Sequence, residues 1–97
     1  MLNTYQLTND ADDDLNDIFN YTEIEFGFNQ AVKYLNRFDE LFNSLCNNPN
    51  LGKLRPELGK DLYCLPEQNH LIFYTFTKND IIISRVLHAS RDLQQFL

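Results

Sequence analysis

The spacing of hydrophobic residues in this 97-residue chain changes near Gly52, and the change limits the folds that the chain can adopt. Before Gly52, non-polar side chains recur every three or four positions, which is typical of helices with one buried face. In the first segment these positions are Ala11, Leu15, Ile18, Phe19, Thr22 and Phe26, and in the second they are Ala31, Tyr34, Leu35, Phe38, Leu41, Phe42 and Leu45. Gly27 interrupts the pattern between them, and "CNNPNLGK" ends the second segment with helix-stop residues. We therefore expect two helices that fold back on each other as a hairpin.

The residues before the first helix predict a short strand followed by a helix cap. In "TYQLT" (4–8), Tyr5 and Leu7 lie on one side of a strand. The candidate N-caps that follow are Thr8, Asn9 and Asp10. The acidic residues 12–14 would then lie near the positive end of the helix dipole. This position explains the acidic run without calcium, since the spacing lacks the glycine and distal glutamate of a calcium-binding loop.

After Gly52 the chain becomes rich in β-branched and aromatic residues, which favours strands. The predicted strands are 62–65, 70–77 and 81–88, separated by turns at 57–60, 66–69 and 78–80. Ser90 can cap a short final helix. The side chains expected to dock from that helix are Leu93, Phe96 and Leu97. The resulting order, β-α-α-β-β-β with a C-terminal helical turn, indicates one α+β domain over residues 1–97, with the helical hairpin packed on an antiparallel sheet.

The net charge of −6 is unevenly distributed along the chain. Residues 1–52 carry two basic and nine acidic side chains, whereas residues 53–97 carry six basic and five acidic ones. A broad phosphate-binding surface needs several clustered lysines and arginines. The first half cannot supply such a surface, so only the second half could contact nucleic acid, and only locally.

The cysteines and histidines form no recognisable metal motif, and we expect no metal or other cofactor. Cys46 and Cys64, taken with His70 and His88, show none of the spacings of a zinc site, so we expect two buried reduced thiols. The N-terminal residues lack the basic start and non-polar stretch of a secretion signal. No non-polar run approaches the roughly 20 residues of a membrane span. These features predict a cytoplasmic protein without membrane contact.

The segment "RVLHASRD" (85–92) concentrates two arginines, a histidine and an aspartate in eight positions. Taken alone, His88 between two arginines is a credible general base, because cationic neighbours lower the pKa of a histidine. The alternative is structural. In that case Asp92 pairs with Arg91 or Arg85, and the His88 ring bonds the backbone where the strand passes into the final helix. We favour the structural interpretation.

Four segments occur together in an order and spacing that carry a family resemblance. They are "YQLTNDADDDLNDIFNYTEIEFGFNQAVKYLNRF" (5–38), "NPNLGKLRPEL" (48–58), "HLIFYTF" (70–76) and "RVLHASRD" (85–92). The chain resembles the ParE/RelE superfamily of toxins from bacterial type II toxin–antitoxin modules, and the ParE branch in particular. The resemblance implies a small cytoplasmic toxin neutralised by a cognate antitoxin, whose extended C-terminal segment wraps over it and whose other end binds operator DNA. ParE-like members poison DNA gyrase, whereas RelE-like members cut messenger RNA in the ribosome.

A RelE-like activity would have to activate a 2′-hydroxyl, stabilise charge at phosphorus and protonate the leaving oxygen. The candidate catalytic residues are Arg55, Arg85, His88 and Arg91. RelE-like nucleases typically present a basic face and a tyrosine or further basic residues near the C-terminus, and neither the net charge nor "DLQQFL" fits. In a regular strand, one face carries Ile81, Ile83, Arg85 and Leu87, and the other carries Ile82, Ser84, Val86 and His88. One pocket containing both Arg85 and His88 would need a bulge or an earlier strand end.

The residues expected to contact partners are Arg55, Tyr74, Arg85, His88 and Arg91. Arg55 lies beside a proline in a loop, where it either contacts a target or pairs with Glu57. The aromatic run containing Tyr74 is interpreted as core and groove rather than a base-stacking surface, because no basic lattice surrounds it. We also expect a non-polar groove that an antitoxin segment covers, and the acidic helices favour a segment rich in lysine and arginine.

Three hypotheses follow for the function. The leading one is a non-enzymatic toxin that inhibits DNA gyrase by direct binding and reaches operator DNA only through its antitoxin. The alternative is a RelE-like ribosome-dependent endoribonuclease. The third is a degenerate, non-toxic member that acts only as an antitoxin ligand and co-repressor.

Overall fold

The computed structural model describes residues 2–90 and 93–97 and contains two long helices, five strands and a final helical turn. In chain order these are β1 (Thr4–Leu7), α1 (Asn9–Phe26), α2 (Phe28–Asn47), β2 (Lys53–Leu54), β3 (Tyr63–Glu67), β4 (His70–Phe76), β5 (Asp80–His88) and α3 (Leu93–Phe96). The predicted element order is confirmed, with β2 added, a strand of two residues that is too short to give a sequence pattern. None of the helices in the described ranges is both long and hydrophobic enough to cross a bilayer.

The five strands form one mixed sheet in the order β1-β5-β4-β3-β2. Strands β3 to β5 pair antiparallel as predicted, and β2 joins β3 in the same way. Strand β1 lies parallel to β5, with Thr4 opposite Asp80 and Leu7 opposite Ile83. The expectation of a wholly antiparallel sheet was therefore wrong for β1. Two helices intervene before the rest of the sheet, so no tight turn fixes the direction of β1, and four residues carry no information about the neighbouring strand.

The predicted turn at residues 66–69 is shorter in the structure, because β3 continues through Pro66 to Glu67. Strand β2 pairs only with Tyr63 and Cys64, so Pro66 lies where the outer edge of β3 has no partner strand. A proline is tolerated at such an edge because no ladder partner loses its hydrogen bond.

Each end of α1 has a capping residue at a position that the sequence suggested. The Thr8 hydroxyl accepts a hydrogen bond from the Ala11 backbone N–H at 3.1 Å, so Thr8 is the N-cap of α1. Gly27 has φ 94°, a conformation that favours glycine, and it both ends α1 and begins α2. The helices therefore reverse direction at a single residue. Phe26, which the periodicity placed in the buried stripe, is 69% exposed because the helix ends there, at the tip of the hairpin.

The sheet is covered by hydrophobic side chains on both faces. The main core lies between the hairpin and the sheet and includes Leu15, Ile18, Phe38, Phe42, Ile72, Tyr74, Ile81 and Ile83. A second, smaller core contains Leu62, Cys64, Phe73 and Leu87, with Leu58, Leu71 and Leu93 packed against it. Since successive strand residues alternate between faces, this second core lies on the face away from the hairpin. The predicted docking of Leu93 is confirmed, whereas that of Leu97 was wrong, since Leu97 is 41% exposed. The Phe96 side chain falls outside the described part.

The two thiols were predicted to be buried and reduced, and the structure confirms this. Cys46 belongs to the main core and Cys64 to the second core, so the sheet lies between them. Burial raises the pKa of both thiols, which keeps them protonated and poorly reactive.

Tyr74 joins the connection between α2 and β2 to the sheet through two hydrogen bonds. Its ring is fully buried, and its hydroxyl donates to the Pro49 carbonyl at 2.7 Å and accepts from the Gly52 N–H at 2.8 Å. A side chain on Gly52 would place its Cβ 2.6 Å from the Tyr74 hydroxyl oxygen, so this close approach requires glycine. Tyr74 was expected to contact a partner, but in this position it has no exposed surface to offer.

We expect Tyr74→Phe to lower the free energy of unfolding by about 1–3 kcal/mol, because the Pro49 carbonyl and the Gly52 N–H both lose their partner. Urea denaturation measures this difference. Tyr21→Phe, which removes an exposed hydroxyl, is the matched control and should change stability by less than about 0.5 kcal/mol. Equal stabilities of the two variants would contradict the fastening role of Tyr74.

Candidate functional site

A groove of about 1200 Å³ runs between the helical hairpin and the adjacent ends of β4 and β5. One wall is α1, and the other includes the β3–β4 turn and the last residues of β5. The side chains that determine its chemistry are Asp14, Asp17, Tyr21, His70, Arg85 and His88. Two of the predicted site residues, Arg85 and His88, therefore lie in the same groove.

An ion pair between Asp14 of α1 and Arg85 of β5 lies at one end of this groove. Arg85 Nε donates to Asp14 Oδ2 at 2.8 Å and Arg85 Nη2 donates to Asp14 Oδ1 at 2.9 Å, so the pair is bidentate. The Val86 backbone N–H also donates to Asp14 Oδ2 at 3.0 Å. The side chains of Asp14 and Arg85 are only 12% and 19% exposed. Their hydrogen bonds raise the pKa of Arg85, so its charge is fixed and compensated.

Asp14 was not among the partners predicted for Arg85, and the predicted partner, Asp92, lies outside the described ranges. Asp14 had been assigned to the acidic run at the helix N-terminus. The sequence nevertheless indicates that Asp14 faces the core, because it precedes the buried Ile18 by four residues and so lies on the same side of the helix. A carboxylate in that position needs a compensating partner.

A β-bulge in β5 reverses the alternation of the strand between Ile83 and Val86, both of which belong to the main core. Phe73 pairs with Arg85 and Tyr74 with Ile83, which leaves Ser84 as the extra residue. The Ser84 hydroxyl donates to the Phe73 carbonyl at 3.0 Å, so this carbonyl keeps a hydrogen bond where the backbone pairing is interrupted. From Arg85 to His88 the pairing is regular, so the predicted placement of these two residues on opposite faces of the strand is confirmed, and the bulge does not bring them together. Both nevertheless line the groove, where Arg85 pairs with Asp14.

The two histidines meet edge to face at the end of the groove, with ring centroids 5.4 Å apart. His88 Nδ1 accepts from the Ser90 backbone N–H at 3.1 Å, which confirms the predicted backbone hydrogen bond at the strand end. His70 Nδ1 shares a hydrogen bond of 2.8 Å with the Tyr34 hydroxyl. Burial and, secondarily, the nearby His88 lower the pKa of His70, so the buried ring is neutral near pH 7.

The remaining candidates do not join this cluster. Arg55 pairs with Glu57 at 2.8 Å, and its backbone N–H donates to the Leu62 carbonyl, beside the second core rather than the groove. Arg91 lies outside the described residues. The structure thus brings Arg85 and His88 together without Arg55, and it holds Arg85 against a carboxylate. No group of three or more metal-binding side chains occurs within residues 2–90 and 93–97.

Comparisons with known proteins agree on one family. Residues 5–93 match the family described as ParE toxin of type II toxin-antitoxin system, parDE. Toxin ParE1 of Caulobacter vibrioides is 29% identical over 93 residues, which are 96% of each chain. Toxin ParE1 of Mycobacterium tuberculosis is 29% identical over 98 aligned residues, covering 100% of each chain. A chain of the chromosomal ParDE TA system from P. aeruginosa shares the fold, with a TM-score of 0.76 and 20% identity over 90% of this chain and 96% of that one.

We expect Asp14→Asn to lower the free energy of unfolding by about 2 kcal/mol, between the values typical of exposed and of fully buried ion pairs. The guanidinium of Arg85 would remain largely buried without its countercharge. Urea denaturation measures the effect, and Asp13→Asn, which neutralises the exposed neighbouring carboxylate, should change stability by no more than about 0.5 kcal/mol. If the free energy of unfolding falls equally in both variants, the ion pair does not stabilise the fold.

The lowered pKa of His70 predicts that stability falls in acid. The unfolded chain takes up this proton near the ordinary value of 6.5, whereas the folded chain takes it up only at lower pH. The contribution of His70 to stability is therefore present above the ordinary pKa of 6.5 and is lost as the pH falls from there through the lower pKa of the folded chain. Urea midpoints at about pH 8 and about pH 5.5 should separate less for His70→Gln than for the unmodified chain. His88→Gln should keep most of the dependence, because burial is the larger cause, and an unchanged dependence in His70→Gln would contradict the assignment.

Proposed function

Because this chain belongs to the ParE toxin family of type II toxin–antitoxin systems, we propose that it inhibits DNA gyrase by direct binding and is held inactive by a cognate antitoxin. The observation that carries the proposal is the bidentate pair between Asp14 and Arg85. RNA cleavage needs positive charge directed at the phosphorus that is attacked. Arg85 directs its charge at a carboxylate of its own chain instead, which supports inhibition by binding.

The surface charge supports the same choice between the two activities. A nuclease that works on ribosomal RNA benefits from a basic face, because counterion release drives such binding. Helix α1, which forms one wall of the groove, contains seven carboxylates and no lysine or arginine. A phosphate backbone approaching this wall would meet charge of its own sign.

Exposed hydrophobic side chains at the tip of the helical hairpin support the proposal that an antitoxin binds this chain. Four large hydrophobic side chains are exposed there, namely Tyr21, Ile24, Phe26 and Phe28, and Ile24 is 81% exposed. Clustered exposure of this kind is typical of surfaces that a partner covers. Tyr21 and Phe26 also line the groove, so tip and groove form one continuous surface. We place the antitoxin on it, with operator DNA contacted only through the antitoxin and the complex in the cytoplasm.

The RelE-like alternative rests on one observation, that Arg85 and His88 line the same groove. In that alternative His88 acts as the general base, with Arg55, Arg85 and Arg91 as the cations. Arg55 is separated from the groove residues by its place beside the second core. A non-toxic member that serves only as antitoxin ligand and co-repressor is the third candidate.

The purified chain should make gyrase accumulate linear plasmid DNA, while messenger RNA programmed into ribosomes stays intact. His88→Ala should keep the gyrase effect within about threefold, because no proton transfer is involved. Codon-phased cuts in the messenger that disappear in His88→Ala would instead establish the nuclease. No response in either assay would leave the antitoxin-ligand function.

The same gyrase assay tests Arg55, which is 33% exposed and remains a proposed contact for the target. Arg55→Gln and Glu57→Gln break the same ion pair, but only the first removes the cation. If Arg55 contacts gyrase, Arg55→Gln should weaken inhibition about tenfold and Glu57→Gln should not. Equal effects of the two substitutions would make Arg55 a structural residue.

A further inference from the structure

The charges along α1 are of a single sign and mostly uncompensated. Its eighteen residues include seven carboxylates, and within the described part of the chain only Asp14 lies within 4 Å of a cation. The six others are exposed, and they are Asp10, Asp12, Asp13, Asp17, Glu23 and Glu25. The helix dipole explains Asp10 and Asp12 in the first turn, but it does not extend to Asp17, Glu23 or Glu25.

Some of these carboxylates lie in a row that follows the groove. Asp13, Asp17, Tyr21 and Glu25 are spaced by four residues, so their side chains are neighbours along the helix. Asp17 and Tyr21 line the groove directly. Asp14 and Arg85 cancel each other within the groove, and the lowered pKa of His70 keeps that ring neutral. Asp17 therefore leaves the groove with a net negative charge beside its hydrophobic surface.

The dimensions of the groove favour a polypeptide occupant. At about 1200 Å³ it exceeds the roughly 300–1,000 Å³ that is usual for small-molecule sites. A second copy of this chain is a poor occupant, because it would bring another acidic α1 against the first, and like charges across an interface repel. A partner segment with positive charge relieves the same repulsion.

We propose that the groove binds a cationic amphipathic helix of the antitoxin. Its hydrophobic side chains pack against Tyr21 and the exposed hairpin tip, and its lysines or arginines, spaced by three or four residues, pair with Asp13, Asp17 and Glu25. Long basic side chains suit this arrangement, since their stems cover hydrophobic surface while their charges reach the rim. The inference rests on the proposed function, because it specifies the chemistry of the antitoxin segment.

Two synthetic peptides of about 20 residues test the inference with the full-length chain. Both carry the same leucines at helical spacing, flanked by lysines in one peptide and by glutamates in the other. Fluorescence anisotropy should show the lysine peptide binding at least about tenfold more tightly. The double substitution Asp13→Asn/Asp17→Asn should lower the affinity for the lysine peptide about tenfold. Tyr21→Ala should weaken binding of the lysine peptide as well.

The matched control is Glu57→Gln/Asp61→Asn, which removes two exposed charges from the segment beside the second core. It should change the affinity by less than about twofold. Equal binding of the two peptides, or equal losses in the two double variants, would overturn the inference. So would a dimer of the free chain that Tyr21→Ala dissociates. Peptide binding is measured without gyrase, so the two proposals can fail separately. If the chain inhibits gyrase but does not prefer the lysine peptide, only this inference is overturned. If it prefers the lysine peptide but does not inhibit gyrase, only the proposed function is overturned.

Discussion

The bidentate pair between Asp14 and Arg85 is the interaction on which the groove depends. It joins the first helix to the last long strand, 71 residues apart in sequence, immediately after the bulge in β5. The carboxylate also accepts from the Val86 N–H, so a single side chain fixes both the guanidinium and the backbone that follows the bulge. Thr8, the cap of α1, donates its hydroxyl hydrogen to the Ser84 carbonyl at 2.8 Å and holds the same region from the other side. Helix start, bulge and groove wall are therefore one connected structure.

Local sequence determined those parts of the fold whose causes are local. Periodicity located both helices and the three longer strands, and Thr8 and Gly27 gave the helix ends because cap geometry depends on adjacent residues. The direction of β1, the buried position of Tyr74 and the bulge at Ser84 depend on contacts between residues far apart in sequence. Phe26 was predicted to be buried but is exposed, because it is the last residue of α1, at the tip of the hairpin, and a helical pattern does not show where the buried stripe ends. In the site, residue types were predicted, but the partner of Arg85 was not.

The hairpin extends beyond what it needs for its own stability. Its buried positions end at Thr22 on α1 and resume at Ala31 on α2, so the tip between them adds little to the core. Gly27 nevertheless allows both helices to continue to the tip, where their hydrophobic side chains face solvent. Exposing such side chains gives the isolated chain no benefit, because each would be more favourable in contact with another non-polar surface. The proposed contact of the antitoxin with the tip would cover these side chains.

The arginines in the described part of the chain are engaged by carboxylates of the same chain. Each arginine in the described part of the chain pairs with a carboxylate, Arg37 with Glu67 and Glu40, Arg55 with Glu57, and Arg85 with Asp14. A guanidinium fits a carboxylate and a phosphate through the same pair of donors, so an arginine bound to one must give it up to bind the other. Of the basic residues after residue 52, Arg55 and Arg85 are therefore already engaged by carboxylates of the same chain. Fold and residue types are compatible with either activity, and the intramolecular partners of the arginines favour inhibition by binding.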